Sequence, residues 1–435
     1  MKDNKNSGIS RRTFLRNSAT AAAGLTILPS YVIGGFGIKA QGIDYKKVKN
    51  AEQHVVYHQK GRFAGWPANN GSWIFDNDEI LVGFTEAPYE VKEGHNLTHP
   101  YSSWLARSKD GGETWHAWDP EGYVGDFGDQ PELKKVEKPI NFRHEKFAMR
   151  LVGTAYHGAN DPRGHFFYSY DGGKSWNGPY SFGNLKNHPQ LTKYWEKVEI
   201  TSRTDYIVTG KHECLLFMSA RPEGKFGTDR LFCMKTSDGG KTFQFQGWIV
   251  KPYRESEVNE AVKVDIYSEE SENPWSTQCR AVMSESFLLP GGKILSVMRR
   301  KYDPENGKSE NWVDAYVSND GGKTWTFQSR VGDAGDGNGN PPALTLMEDG
   351  KLCAVFGERA YGTIQVAYSS DQGRTWSEPR ILYDNFWNED NELNDLGYPR
   401  VVQRSDSKLV AMFYYSTKEA QGQIHATIWK PRNER

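Results

Sequence analysis

Apolar residues recur along the chain in six stretches in which hydrophobic and polar positions alternate. Such alternation is typical of a β-strand with one buried face. Several stretches contain a glycine turn between two alternating runs, as at Gly291 and Gly350, which predicts a hairpin. The pattern therefore predicts the apolar inner parts of six blades, at residues 73–84, 147–155, 206–220, 282–298, 341–356 and 398–415.

A short phrase follows strand-like residues at five places. Its pattern is Ser/Thr-x-Asp-Gly-Gly-x-Ser/Thr-Trp, with Phe243 and Gln372 as departures, and its copies lie at residues 108–115, 169–176, 236–243, 318–325 and 369–376. An aspartate can hydrogen-bond its own backbone two residues on, and glycine supplies the positive φ of a tight turn. Five copies of one hairpin turn predict a repeated four-stranded unit, which is typical of a β-propeller.

The spacing of the phrases predicts the number of blades. It is uneven, from 51 to 82 residues, so loops of different length separate similar blades. The last stretch ends at residues 424–429 without a copy of the phrase, as expected if an N-terminal strand at residues 54–57 completes that blade. We predict an all-β, six-bladed propeller, with seven blades as the alternative and helices nearly absent.

Composition narrows the class of partner. A propeller of 435 residues is one domain, which we place at residues 45–435. The net charge of −1 gives no reason to expect a nucleic acid or an anionic membrane surface as partner. A mean hydropathy of −0.73 argues against a stable membrane span, and 13% aromatic residues suit a surface that stacks on sugar rings.

The N-terminus resembles an export signal. Residues 10–16 carry Arg11-Arg12 in a context like the bacterial twin-arginine (Tat) motif, and a short apolar run follows at residues 21–33. We predict a Tat-type signal peptide at residues 1–40, with cleavage near Ala40, and a mature protein in the periplasm or outside the cell. The Tat export machinery is then a partner during secretion.

The four cysteines show neither a CxxC pair nor metal-type spacing. All four lie in strand-like sequence, which favours buried free thiols, with a disulfide between Cys214 and Cys233 as the alternative.

The five phrases and the propeller pattern resemble the sialidase (neuraminidase) superfamily, whose Asp-box repeat they match from about residue 50 to the end. In that family the Asp-box lies on outer hairpins away from the substrate. The resemblance implies a funnel with three arginines for a carboxylate, a tyrosine nucleophile paired with a glutamate, and an aspartate acid. A guanidinium binds a carboxylate through two parallel hydrogen bonds, and a tyrosine can attack an anomeric carbon if a base takes its proton.

The resemblance extends to individual positions. Tyr398 opens the last blade, where the family has its tyrosine, and Glu285 lies upstream of Arg299 or Arg300 in the fourth blade. Arg359 precedes the fifth Asp-box, as one family arginine does. The candidate site residues are the nucleophile Tyr398, its partner Glu285, and the carboxylate-binding Arg280, Arg299, Arg359 and Arg400.

The first blade departs from the family. Sialidases carry an Arg-Ile-Pro motif there, and this chain has Gly65-Trp66-Pro67. Arg62, three residues earlier, could not substitute without a shifted strand.

A second hypothesis keeps an acidic glycan but changes the reaction to that of a polysaccharide lyase or a rhamnosidase-like propeller acting at uronic acid linkages. His157 with Tyr156 would be the catalytic base, and Arg203 or Arg150 would neutralise the uronate carboxylate. His95 and His99 lie in a charged loop between the first inner hairpin and the first Asp-box, and the sequence assigns them no role. A third hypothesis is a non-catalytic propeller that binds a glycan or a protein.

No cofactor or catalytic metal is predicted. The loops at residues 332–340 and 388–395 resemble calcium loops in composition but lack EF-hand spacing, so a structural calcium is an alternative only. The sequence favours an exported, sialidase-like glycoside hydrolase acting on a terminal acidic sugar of a glycan.

Overall fold

The computed structural model of the protein describes residues 45–92, 94–123, 130–154, 161–252, 279–302, 309–335, 339–387 and 394–431. These residues all belong to one compact unit, Lys39–Arg435. The predicted signal peptide, residues 1–40, lies outside the described residues. No helix within the described ranges is both long and apolar enough to cross a bilayer.

Six antiparallel sheets form the six blades of a propeller, which confirms the predicted all-β class and blade count. The strands of the first three blades are β2 (Arg62–Gly65), β3 (Ser72–Phe75), β4 (Glu79–Pro88), β5 (Ser102–Ser108) and β6 (His116–Trp118) in blade 1; β7 (Ala148–Val152), β8 (His165–Ser169) and β9 (Asn177–Ser181) in blade 2; and β10 (Val198–Ile200), β11 (Tyr206–Val208), β12 (Cys214–Pro222), β13 (Arg230–Thr236) and β14 (Gln244–Trp248) in blade 3.

Each of the other three blades has four strands. They are β15 (Cys279–Leu288), β16 (Ile294–Tyr302), β17 (Glu310–Ser318) and β18 (Thr326–Gly335) in blade 4; β19 (Pro342–Leu346), β20 (Leu352–Glu358), β21 (Thr363–Ser369) and β22 (Arg380–Tyr383) in blade 5; and β23 (Gly397–Gln403), β24 (Leu409–Tyr415), β25 (Gln423–Trp429) and β1 (Glu52–Tyr57) in blade 6.

The N-terminal strand β1 closes the ring. It pairs antiparallel with β25, with His54 opposite Ala426, and so supplies the outer strand of blade 6. This confirms the predicted closure by residues 54–57.

Helices are short in the described residues, as predicted. They are the helical turns α1 (Pro67–Asn70) and α2 (Pro189–Thr192) and two 3₁₀ turns, Asp76–Asp78 and Leu185–Asn187. Turn α1 matters for the site because it divides the inner strand of blade 1 into β2 and β3.

The Asp-box hairpins join the last two strands of each of blades 1 to 5. In the fourth copy, Asp320 Oδ1 accepts from the Thr324 N–H at 2.9 Å and Asp320 Oδ2 accepts from the Thr324 hydroxyl at 2.6 Å. The bond therefore reaches four residues on, rather than the expected two. Ser318 Oγ accepts from the Gly322 N–H at 2.9 Å, which closes the same turn.

The second glycine of the box also locks neighbouring blades together. A Cβ on Gly322 would lie 2.8 Å from Cys233 Sγ of blade 3, and one on Gly373 would lie 2.9 Å from Leu295 of blade 4. Both glycines have positive φ, so glycine is required for backbone conformation and for close packing.

The core consists of apolar clusters at the seams between blades. One cluster joins Phe84 of blade 1 to Met412 and Ile428 of blade 6 and includes Tyr398. Cys214, Cys233 and Cys353 are buried free thiols inside such clusters, so the alternative disulfide between Cys214 and Cys233 does not form.

Candidate functional site

Tyr398 lies at the start of β23, where the sequence predicted it, and its side chain is buried. Its φ of 49° is left-handed, which is uncommon for a tyrosine. The Tyr398 N–H donates to Asn340 Oδ1 at 3.0 Å, and a Cβ on the preceding Gly397 would lie only 1.9 Å from that oxygen. Asn340 and Gly397 therefore hold the tyrosine in this conformation.

Two buried arginines flank Tyr398. Arg299, near the end of β16, donates through Nη1 to the Tyr398 hydroxyl at 3.4 Å. Arg359 directly follows β20, and its Cζ lies 6.0 Å from the centroid of the Tyr398 ring. Only 1% of Arg299 and 3% of Arg359 is exposed. The structure thus brings together three of the predicted site residues from blades 4, 5 and 6.

These two guanidinium groups have N–H groups without an acceptor. They are Nε and Nη2 of Arg299 and Nη1 of Arg359. Burial lowers the pKa of Arg299, and the nearby charge of Arg359 lowers it further, although Tyr398 opposes this change. Buried cations with unpaired donors are costly, and a carboxylate between them would supply acceptors and opposite charge. The arrangement is suited to an anion.

Arg359 also belongs to a hydrogen-bond network with Tyr414 and Asp395. Its Nη2 donates to the Tyr414 hydroxyl at 2.6 Å, and the Tyr414 hydroxyl donates to Asp395 Oδ1 at 2.5 Å. Burial alone would raise the pKa of Asp395, but His95, Arg359 and Tyr414 together hold that pKa below its usual value. Asp395 is therefore an ionised carboxylate inside the site.

His95 reaches this network from the loop between β4 and β5. Its Nδ1–H donates to Asp395 Oδ1 at 2.7 Å, since an ionised carboxylate can only accept. The imidazole lies edge-on to the rings of Trp66 and Tyr398, with centroids 5.0 Å and 6.4 Å away. Sequence reasoning missed this role because Asp395 lies 300 residues along the chain from His95.

Turn α1 occupies the part of blade 1 where the Arg-Ile-Pro motif was expected. Trp66 precedes it with a φ of 61° and is fully buried, and the Ala68 carbonyl accepts from Arg400 Nη2 at 2.6 Å. Arg62 forms a two-point ion pair with Glu86 of β4. It is engaged there and does not replace the missing arginine.

Glu285 binds Arg400, whereas the Tyr398 hydroxyl accepts from Arg299. Arg400 also donates to the carbonyl oxygens of Ala68 and Thr204, and so ties blades 1, 3, 4 and 6 together at the centre of the ring. Burial raises the pKa of Glu285 to about 8, although the Arg400 charge opposes the shift. Glu285 and Arg400 thus form an ion pair at the centre of the ring, here called the central strut, beside Tyr398, Arg299 and Arg359.

A cavity of about 380 Å³ opens beside this strut. Its lining includes Trp73, Tyr206 and Asp205. Asp205 accepts from the hydroxyls of Ser284 and Ser286 at 2.5 and 2.9 Å, yet its burial raises its pKa to about 6. The cavity is therefore bordered by two carboxyl groups with raised pKa values.

The structure also gives hydrogen-bond partners for the predicted Arg280 and Arg203. Arg280 Nε donates to Asp229 Oδ2 at 2.6 Å, and Arg203 Nη1 donates to the carbonyls of Ser202 and Thr201 at 2.7 and 3.3 Å. Asp229, which Arg280 binds, is close enough to Arg299 for its charge to raise the pKa of that arginine.

The structure describes Arg300 but not the predicted pair His157 and Tyr156. Arg300 Nη1 turns to the Tyr316 hydroxyl at 3.1 Å, which leaves Arg299 as the arginine of blade 4 that faces Tyr398. His157 and Tyr156 lie outside the described residues, so the lyase hypothesis keeps its base as a prediction.

Among the described residues, no three His, Cys, Asp or Glu side chains form a group that could hold a metal ion. Each of the two loops considered for calcium is described only in part. Asp395 of the second loop binds His95 and Tyr414.

Comparisons with known proteins agree with this architecture. The BNR/Asp-box repeat model matches residues 316–327. Comparison with curated protein sequences found no match. A protein of unknown function from Dyadobacter fermentans has a similar structure, with a TM-score of 0.61, 17% identity, and coverage of 88% of this chain and 100% of that chain.

Two enzymes of known activity have a similar fold. An α-L-arabinanase from Penicillium chrysogenum, complexed with arabinobiose, has a TM-score of 0.52 and 12% identity, over 87% of this chain and 98% of that chain. A mutant of Trypanosoma rangeli sialidase displaying trans-sialidase activity has a TM-score of 0.52 and 11% identity, over 88% of this chain and 59% of that chain.

Repeat and fold bear out the resemblance to the sialidase-like superfamily of Asp-box propellers. At these identities the solved structures show the fold, which is one that glycosidases use. The sugar and the reaction are a separate question, since one fold supports many functions.

Proposed function

We propose that the chain is an exported glycoside hydrolase that removes a terminal acidic sugar from a glycan. Tyr398 is the nucleophile, and Arg299 and Arg359 hold the carboxylate of the sugar. Export rests on the twin-arginine motif near the N-terminus and places the activity in the periplasm or outside the cell.

One observation carries the proposal: two buried guanidinium groups with unpaired N–H groups flank Tyr398, with Arg299 at its hydroxyl and Arg359 beside its ring. A neutral sugar would offer no negative charge to the unpaired N–H groups of either arginine, although Asp395 already pairs with Arg359 Nη2. A carboxylate would accept from Arg299 and Arg359 and offset the cost of burying them. The preference for an acidic sugar follows from this charge balance.

The same arrangement places the nucleophile. A sugar whose carboxylate lies between the arginines would have its anomeric carbon close to the Tyr398 hydroxyl, because Arg299 contacts both groups. Attack by this oxygen would form a covalent glycosyl–tyrosine, which water then hydrolyses. Arg400 and Glu285 support this site through turn α1 rather than through contact with the tyrosine.

The test compares acidic and neutral aryl glycosides. The protein is incubated with the 4-nitrophenyl glycosides of N-acetylneuraminic acid, glucuronic acid and galactose, and release of 4-nitrophenol is followed. We expect release from at least one acidic glycoside and none from the galactoside. Arg299→Met should lower kcat/KM at least about 30-fold, since it removes one of the two guanidinium groups that hold the carboxylate.

Arg330→Met is the matched control, because Arg330 also lies in blade 4 but is half exposed and borders Trp312 on the outer side. It should retain the wild-type kcat/KM. Release from the galactoside alone, or from none of the three, would contradict the proposed function.

A further inference from the structure

We propose that His95 is the general acid of this site and that Asp395 is the residue that positions it. This inference rests on the proposed function and adds the proton donor that glycoside hydrolysis requires. The sialidase resemblance implies an aspartate in this role, and the sequence assigned no residue to it.

The position of His95 relative to Tyr398 carries the argument. Its ring centroid lies 6.4 Å from that of Tyr398 at an interplanar angle of 84°, so the two side chains border the same space. The Nδ1–H donates to Asp395 at 2.7 Å, which turns the opposite nitrogen, Nε2, away from the carboxylate. The His95 side chain is 18% exposed, whereas Asp395 is 2% exposed. His95 is therefore more accessible than Tyr398, of which 2% is exposed, and in the proposed complex the leaving group departs on the His95 side.

The supporting contacts fix the imidazole in this place. The Trp66 ring packs edge-on against it, with centroids 5.0 Å apart, and Asp395 is itself held by Tyr414 and Arg359. The neighbouring Asn96 N–H also donates to Asp395, at 3.3 Å. A carboxylate that fixes the ring through Nδ1 is a common way to orient a histidine for proton transfer at Nε2.

Other titratable groups near Tyr398 are poor proton donors. Asp395 accepts four hydrogen bonds, from His95, Asn96, Tyr414 and Arg359, which keep it ionised. Burial raises the pKa of Tyr414 well above its usual value. Glu285 is bound to Arg400 and lines a cavity whose lining does not include Tyr398. Histidine is the side chain that most often serves as a general acid or base in enzymes.

In the proposed mechanism, hydrolysis takes place in two halves. The Tyr398 oxygen forms a bond to the anomeric carbon while the bond from that carbon to the glycosidic oxygen breaks. The His95 Nε2–H proton passes to the departing oxygen, which leaves as an alcohol, and the tyrosine proton is lost to solvent. In the second half, neutral His95 takes a proton from water as the water oxygen attacks the anomeric carbon. The bond from that carbon to Tyr398 breaks, and the Tyr398 phenolate takes back a proton from solvent.

The experiment uses leaving groups of different basicity. The substrates carry an acidic sugar that the wild type hydrolyses. The ratio kcat/KM is measured on the 4-nitrophenyl glycoside of this sugar and on the trisaccharide in which the same sugar is linked to lactose. Nitrophenol leaves without protonation, and a sugar alcohol does not, so loss of a general acid affects the second substrate selectively. The variant is His95→Asn, whose amide can still donate to Asp395, and the control is His99→Asn in the same loop.

We expect His95→Asn to lower kcat/KM on the lactose glycoside about 10²–10⁴-fold and on the nitrophenyl glycoside less than about 10-fold. His99→Asn should match the wild type on both, and a melting temperature close to that of the wild type shows that each variant is folded. Equal losses on the two substrates, or no loss, would overturn the role of His95 and leave the proposed function standing. A wild type that hydrolyses no acidic glycoside would overturn the proposed function and this inference with it.

Discussion

Replacing Tyr398 by phenylalanine should abolish turnover with little effect on folding. The substitution removes the hydroxyl that accepts from Arg299 and keeps the ring, which packs against Tyr414 and His95 with centroids 5.8 and 6.4 Å away. Without an attacking oxygen, we expect kcat to fall by at least about 10³-fold.

The structural cost can be worked from the lost hydrogen bond. A hydrogen bond to a charged group contributes about 1.5–3 kcal/mol, and the Arg299 bond, at 3.4 Å, belongs at the low end. Unfolding entropy of about 2 cal/mol/K per residue gives roughly 0.8 kcal/mol/K for a domain of this size. A loss of about 1.5 kcal/mol should therefore lower the melting temperature by about 2 °C.

The assay combines turnover of the acidic nitrophenyl glycoside, calorimetric affinity for the free acidic sugar, and thermal unfolding. Affinity should stay within about 10-fold of the wild type, because both arginines remain. The matched control is Tyr415→Phe, which removes a buried hydroxyl that donates to the Gly362 carbonyl at 2.6 Å. It should lose stability but not activity. Full turnover by Tyr398→Phe would refute the assignment of the nucleophile.

Two further predictions concern stability and its dependence on pH. Asp320→Ala should lower the free energy of unfolding by about 1–2 kcal/mol without changing kcat, because the box is a hairpin turn remote from the site. The Thr324 hydrogen bonds lower the pKa of Asp320 to about 2, so wild-type stability from this turn is present above about pH 4 and is lost as pH falls towards 2, whereas the variant lacks this dependence. Glu285→Gln tests the raised pKa of about 8. An acid with a raised pKa binds its proton more tightly in the folded state, so wild-type stability should fall as pH rises from about 5 to 8, and the variant should show a flatter profile.

Both predictions are checked by urea unfolding at a series of pH values. A lower kcat in the folded Asp320→Ala variant would contradict the purely structural role of the box. Identical pH profiles for the wild type and Glu285→Gln would contradict the raised pKa of Glu285.

The architecture was predictable from sequence because it rests on local patterns. Each Asp-box is a turn made by residues within eight positions, and alternation predicted the inner strands. Closure by β1 followed from the absence of a box after β25. Tyr398 could also be placed, since it opens the last predicted inner stretch, where the family resemblance implies a tyrosine.

The partners of the site residues could not be predicted in the same way. A bulge at Met283, with a φ of 57°, shifts the pairing of β15 with β16 by one residue. Val282 lies opposite Arg299 and Glu285 opposite Val297, so Val282 and Glu285 share a face that strict alternation would have separated. The sequence pattern carries no sign of this bulge, and therefore the contact between Glu285 and Arg400 was not foreseen.

Contacts across the ring are equally hidden. His95 and Asp395 meet because blades 1 and 6 are neighbours after closure, and no spacing in the sequence relates them. Turn α1 presents the same difficulty: Trp66 could be recognised as a departure from the family motif, but its packing against His95 depends on the fold.

The central claim is that Arg299 and Arg359 bind a carboxylate beside Tyr398. The most direct measurement is calorimetric titration of the protein, at neutral pH, with N-acetylneuraminic acid and glucuronic acid and with the methyl ester of each. The account predicts that at least one acid binds at least about 30-fold more tightly than its uncharged ester, and that Arg299→Met removes most of this difference. Equal affinity for acid and ester, or no binding of either acid, would contradict it.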